Sequence, residues 1–358
     1  MPIATPTETS FRAAPAPPPK YHEPVQGTVF HGDGREEDLL KHLRSLPSLS
    51  RTETSGLSLR DRSQRVLDAI HEFGKGENRY LMSVGETKGR QVEELVRSKK
   101  PKLILELGSY VGYSGISFSR HLPELHPSLT FPPDWKAAET SQSRAGYISL
   151  EKSEVYAETA AGAVELAGLD KVVKVRDVFQ TPAGLRDSGL HEQIVVGSST
   201  TSIKSLRKTL DMPRPMKFDM VFLDHLKPLY TIDLKVLEEE GLVGPGTVLV
   251  ADNVVKPGNP AYLSWVRATP TQKRQALKLG PMSTQPAPTP NPSLDDGWLT
   301  AFRDGPIDET RWVPPEAEGI TSKGDPSLIY ESQMLDGWDP YTGEKDACEV
   351  STCVGKEE

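Results

Sequence analysis

Two short apolar runs in this sequence end in acids: MVFLD (220–224) leads into LDHLK (223–227), and TVLVAD (247–252) into ADNV (251–254). Read as parallel strands, both runs end at the same edge of one sheet, where ligands of open α/β folds bind. That edge gathers Asp224, Asp252 and Asn253. Three oxygen ligands without a thiolate suit a hard cation, Mg²⁺ or Ca²⁺, with positions left for water or substrate oxygens. Lys227 lies three residues past Asp224 and points into the same place. On spacing alone it reads as a solvated lysine at a helix start. Beside a divalent cation, an amine is pushed toward its neutral form and becomes a usable general base, and that position reverses the reading.

A second constellation lies earlier. The buried-type run KLILEL (102–107) enters ELGSYVGYSG (106–115) directly. Glycines after such a strand allow a tight turn and close backbone approach to a ligand. Gly108 and Gly112 are four apart, which is not the G-x-G-x-x-G spacing of dinucleotide enzymes, and Glu106 puts an acid at the strand end. A carboxylate there repels a pyrophosphate but tolerates a sulfonium and an ammonium, which favours S-adenosylmethionine over NAD. Glu151, ending the next strand in YISLEKSE, stands where an acid accepts hydrogen bonds from ribose hydroxyls; the alternative is a solvated acid beginning a helix. His225 either caps an adenine ring or packs in the core.

The elements that must position these residues follow from apolar periodicity. Leu39, Leu40, Leu43 and Leu46 form one helical stripe, Val66, Leu67, Ile70 and Phe73 another, and a third helix runs from about Thr87 to Arg97. Short apolar runs then alternate with helices: strands at 102–107, 147–150, 172–175, 220–224 and 247–252, helices at 115–122, 153–167 and 231–239. Such alternation specifies βαβ units, an α/β fold with a doubly wound, mostly parallel sheet and helices on both faces. LIYESQM (328–334) and CEVSTCV (348–354), flanking DPYTGE, read as an antiparallel edge hairpin.

Residues 1–30, rich in Pro, Ala and Thr, read as a disordered leader, and 31–358 as a single domain with insertions near 124–146, 181–217 and 269–327. The last of these, carrying APTPNP and VPPE, reads as a long functional loop or a disordered insertion. A net charge of −8 with no dominant basic cluster argues against nucleic acid as a partner. Two cysteines, Cys348 and Cys353, form no disulfide framework. No run has the length of a membrane span and no secretory signal is visible, so a cytoplasmic monomer without membrane contact is the expectation.

Four separated segments, YLMSVGETKG (80–89), LILELGSYVGYS (103–114), MVFLDHLKPLY (220–230) and GTVLVADNVVKPG (246–258), together with LAGLDKV (166–172), resemble the catechol O-methyltransferase family in order and spacing. The resemblance covers most of 35–267 and, more weakly, the closing hairpin. It implies a Rossmann-like class I methyltransferase fold, a seven-stranded sheet with an antiparallel C-terminal strand. It also implies Mg²⁺ ligands at Asp224, Asp252 and Asn253 and a catalytic base at Lys227. Donor contacts are implied at Val84, Glu106, Gly108, Tyr110, Ser114, Glu151, Gln180 and His225, with Met82 and Asp224 near the transferred methyl.

The implied reaction is direct in-line methyl transfer from S-adenosylmethionine to a hydroxyl of a catechol-type diol held on Mg²⁺. Substrate contacts are implied at Tyr80, Leu226, Lys227, Asn253 and Pro257. Departures fall mostly on the walls. Leu226 replaces the aromatic after the Asp-His pair, Tyr80 replaces a tryptophan, and Lys152 and Leu229 replace a methionine and an arginine. Asp177, Val178, Phe179 and Gln180 replace a Gly-Ala-Ser-Gln stretch, and Glu331 is the nearest candidate for the acid gripping the second hydroxyl. Other expectations kept open are a same-fold enzyme for another metal-chelating hydroxylated acceptor, a non-catalytic donor-binding protein, and, more remotely, a nicotinamide oxidoreductase.

Overall fold

The computed structural model describes residues 16–23, 31–132, 140, 143–177, 199–279 and 321–358. Unbroken apolar runs make the first five strands, β1 (Leu103–Leu107), β2 (Gly146–Glu151), β3 (Val173–Asp177), β4 (Met220–Leu223) and β5 (Val248–Ala251). Two longer strands, β6 (Leu328–Trp338) and β7 (Lys345–Lys356), close the chain. The order is β3-β2-β1-β4-β5-β7-β6, with β1 to β5 mutually parallel and β7 antiparallel to both β5 and β6. β7 is therefore an inner strand and β6 the edge, a placement that hairpin periodicity alone does not resolve.

Helices are α1 (Arg35–Ser45), α2 (Arg51–Thr54), α3 (Leu59–Gly74), α4 (Gly85–Lys99), α5 (Tyr113–Ser119), α6 (Leu122–Leu125), α7 (Glu154–Leu166), α8 (Ser199–Thr209), α9 (Tyr230–Glu239), α10 (Pro260–Arg267) and α11 (Pro270–Leu279). Ser58 and Ser153 cap α3 and α7 by accepting the backbone N–H of Asp61 and Tyr156. Gly168, with φ of +76°, ends α7 as expected.

Because side chains alternate across a strand, each strand feeds two cores. Ile104, Tyr147, Phe222 and Val250 pack with α1, α3, α4, α5 and α7 on one face. Leu105, Ile148, Val221, Leu223 and Leu249 pack with α8, α9 and α10 on the other.

Three expectations are corrected. Part of the leader is ordered: the backbone N–H groups of Tyr21 and His22 donate to the Tyr341 carbonyl at 2.7 and 3.1 Å, and His22 Nε2 lies 2.9 Å from the Gly74 carbonyl. A few backbone contacts and one imidazole suffice, without any hydrophobic period. Helices α8 and α11 occupy parts of two segments read as insertions; Ile203 and Leu206 of α8 are buried, and Leu277 of α11 packs against the same core.

Phe222 of β4 is fully buried and meets Phe118 of α5 edge-on, ring centroids 5.1 Å apart. Phe222→Ala is expected to cost about 3–5 kcal/mol in urea unfolding, the usual range for a buried aromatic. A cost under about 1 kcal/mol would show that this layer collapses around the cavity.

Candidate active site

The turn after β1 is built by glycine and anchored by acids. Gly108 has φ of +90°, and a Cβ there would lie 2.5 Å from the Asp224 carbonyl oxygen, so the β1 and β4 ends approach closely only without a side chain. Gly112, at φ of +85°, starts α5 where a Cβ would lie 3.1 Å from Ala160 of α7. Glu151 accepts from the backbone N–H of Ser109 (3.1 Å), Tyr110 (2.9 Å) and Ser153 (2.9 Å), tying the turn to the end of β2. The Tyr110 hydroxyl donates to Glu36 of α1 at 3.0 Å.

Glu106 is fully buried beneath this turn and accepts from the hydroxyls of Ser114 and Ser149. Burial pushes its carboxyl up to about 7, against the serine hydrogen bonds. Burial likewise raises Glu151. Both acids are thus held in surroundings that an incoming cationic group would relieve.

At the ends of β4 and β5 the acids are paired with lysines. Lys227 Nζ lies 3.0 Å from Asp224 Oδ1 and 2.7 Å from the Tyr230 hydroxyl, which in turn donates to the Asp252 carbonyl at 3.3 Å. Asn259 caps α10 and donates to the Lys227 carbonyl at 2.9 Å, fixing the backbone beneath the amine. His225 Nε2 sits 2.8 Å from Asp233 of α9, and its ring stacks on Tyr230 at 4.9 Å. Its Nδ1 is buried with no hydrogen-bond partner among the described residues.

Lys88 of α4, 2% exposed, reaches Asp252 Oδ1 at 2.7 Å and Asp346 Oδ2 at 2.6 Å. Cys348 Sγ also donates to Asp252 Oδ1, at 3.1 Å. Burial works against the Lys88 ammonium, but the two carboxylates outweigh it and hold its pKa well above the ordinary value.

Three carboxylates, Asp224, Asp252 and Asp346, thus face two ammonium groups, Lys88 and Lys227. The surplus is negative. Burial pushes the Asp224 carboxyl up to about 6, with Lys227 opposing and the Asp252 charge adding to the rise. A divalent cation fits that deficit. Among the described residues no group of three or more His, Cys, Asp or Glu side chains is arranged for a metal. A cation held by Asp224 and Asp252 therefore needs the Asn253 amide oxygen and further water or substrate oxygens.

Asp224, His225, Lys227, Asp252 and Asn253, all singled out in the sequence, lie together at the ends of β4 and β5. Val84, buried, precedes α4, and Met82 beside it is 38% exposed. The Tyr80 hydroxyl donates to Asp339 at 2.8 Å. Leu226 is half-buried between His225 and Lys227, and Pro257 is half-buried in the irregular turn Val254–Gly258 that follows Asn253. Gln180 lies outside the described residues, as do Val178 and Phe179.

Glu331 is a correction. It pairs with Thr352, and Thr352 with Val248 at the start of β5, so Glu331 lies at the opposite end of the sheet from Asp252 and is exposed. Hairpin register puts Asp346, from the partner strand, at the ligand edge instead. Sequence reasoning also missed Lys88, Tyr230, Asp233 and Asn259. For Lys88 a signal exists: it shares four-residue spacing with buried Val84, Val92 and Val96, a lysine on an apolar stripe.

No protein-family model matches the chain. Catechol O-methyltransferase of Mus musculus is 34% identical over 207 residues, covering 58% of this chain and 62% of that protein. The Bos taurus protein of the same name is 36% identical over 205 residues, 57% and 60% of the two chains. The Sus scrofa protein is 36% identical over 186 residues, 52% of this chain and 78% of that one. The chain spans less than two thirds of the length of the mouse and cattle relatives.

The Glu106 carboxyl makes stability depend on pH. Its pKa is raised on folding, from an ordinary 4.5 to about 7. Between those values the native state binds a proton that the unfolded chain has released, so stability falls as pH rises through this window. Relative to Glu106→Gln, the donor-free wild type is expected to lose about 3 kcal/mol between pH 4 and 8 in urea titrations. Parallel pH profiles for the two proteins would show instead that the carboxyl titrates normally.

Proposed function

The chain belongs to the catechol O-methyltransferase family, and on that premise we propose that it moves the methyl group of S-adenosylmethionine to one hydroxyl of a catechol-type vicinal diol, with Mg²⁺ as cofactor. What carries this reading is the meeting of Asp224, Lys227, Asp252 and Asn253 beside the glycine turn, with a surplus of negative charge around them.

When bound, S-adenosylmethionine supplies an electrophilic methyl on a sulfonium, and Mg²⁺ supplies an anchor for two vicinal oxygens and acidifies a hydroxyl. Asp224, Asp252 and the Asn253 amide oxygen would hold the cation. Glu106, Ser114, Tyr110 and Glu151 lie at the turn where the donor would bind, Val84 would add a further contact, and buried carboxylates there favour its positive charge. Lys227 takes the hydroxyl proton on Nζ as the oxygen–carbon bond forms and the carbon–sulfur bond breaks, leaving S-adenosylhomocysteine. Tyr230, 2.7 Å from Nζ, and Asn259, bonded to its carbonyl, keep the amine aimed.

Leu226 in place of an aromatic and Tyr80 in place of a tryptophan would give the acceptor walls a different shape from those the family resemblance implies. Turnover of labelled S-adenosylmethionine with a simple catechol is expected to require Mg²⁺ and stop with chelator. Lys227→Ala should lower kcat by about 10²–10⁴ while donor binding persists, and Asp252→Ala should remove metal-dependent turnover. Undiminished kcat in Lys227→Ala would remove the lysine from its assigned role.

A further inference from the structure

Asn253 is the one proposed cation ligand whose two ends differ in kind: one is an acceptor oxygen, the other a donor nitrogen of nearly the same shape. Only the oxygen can bind a cation. A free asparagine side chain turns either end inward at little cost, so something must choose. Asn253 Nδ2 donates to Asp346 Oδ2 at 2.7 Å. An ionised carboxylate has no proton to give, so it accepts the nitrogen end and rejects the oxygen end.

The carboxylate is itself immobilised. Asp346 is 3% exposed, its Oδ1 accepts the Lys256 backbone N–H at 2.9 Å, and its Oδ2 is 2.6 Å from Lys88 Nζ. Lys88 bridges across to Asp252 at 2.7 Å, so one ammonium braces two of these acids. The Asn253 backbone adds a constraint: it sits in the left-handed region, φ 59° and ψ 36°, which asparagine tolerates better than most residues.

We propose that Asp346, on the C-terminal hairpin, is a positioning residue that pins the Asn253 amide with its nitrogen outward and its oxygen toward a divalent cation. This rests on the cation-binding reading above. Asp346 acts through Asn253 and touches neither substrate nor cation. Outer partners of this sort set metal affinity by fixing the orientation of the ligands they touch.

The test is a double-mutant cycle on cation affinity, read by electron paramagnetic resonance of Mn²⁺ with Mg²⁺ competition, with S-adenosylhomocysteine present. Asp346→Asn can bond either end of Asn253, accepting from its nitrogen or donating to its oxygen, and is expected to weaken affinity about ten-fold or more. In an Asn253→Asp background both ends are oxygens, so no orientation remains to be lost. There Asp346→Asn should leave affinity within about two-fold or improve it. The charge removed at 346 is common to both arms, and a loss confined to the first arm reports orientation.

Equal losses in the two backgrounds, or no loss in either, would overturn the proposal while leaving the cation site standing. A wild type that binds no divalent cation would overturn the functional reading itself, and this proposal with it. A second measurement needs no variant at position 346. The Asn253 side-chain amide protons, assigned by their absence in Asn253→Asp, should exchange slowly both with and without Mg²⁺. Fast exchange once Mg²⁺ is bound would mean that the Asp346 bond is broken in the loaded protein, and the proposal fails.

Discussion

Like charges set the terms for this molecule. Parallel strands β4 and β5 deliver Asp224 and Asp252 to one edge, and β7 adds Asp346. Buried carboxylates at such separations are costly unless a cation lies between them. Lys88, drawn from α4, supplies one ammonium to two of the three. Lys227 supplies another to the third. Around that lattice the rest is arranged: α4 must be docked for Lys88 to arrive, and β7 must lie inside the sheet for Asp346 to arrive.

The glycine turn is the complementary requirement. Asp224 can sit where it does only because Gly108 carries no side chain to strike its carbonyl. The turn then hands its amide protons to Glu151, which links the β1 and β2 ends into one rim. The rim proposed for the donor and the rim proposed for the cation are thus parts of the same backbone packing, since Gly108 lies against the Asp224 backbone.

Much of this was legible beforehand for a physical reason. Each inner strand is an unbroken apolar run, and an acid at its end stands out because nothing in the core calls for one. Asp224, Asp252, Glu106 and Glu151 were visible on that ground. Lys88 and Asp346 were not, because a buried ion pair is intelligible only when both partners are known, and these stand 258 residues apart. Glu331 went astray through register: whether an acid on a hairpin reaches the ligand edge depends on pairing, which residue types along a strand do not declare. The docking of Tyr21 and His22 on Tyr341 was hidden for a similar reason, since it relies on backbone groups that every sequence carries.

The position of β7 between β5 and β6 has a kinetic corollary. β5 ends at Ala251 and β7 begins at Lys345, so a long intervening stretch must be looped out before the two strands pair. Closing so long a loop is an entropic toll that grows only logarithmically with length but falls due before any pairing enthalpy is gained. Asp346 stands in the same strand, so the Asn253 contact forms only with that closure. Assembly of the edge that carries the aspartates and completion of the sheet are therefore coupled, because Asp346 reaches Asn253 only where β7 lies beside β5.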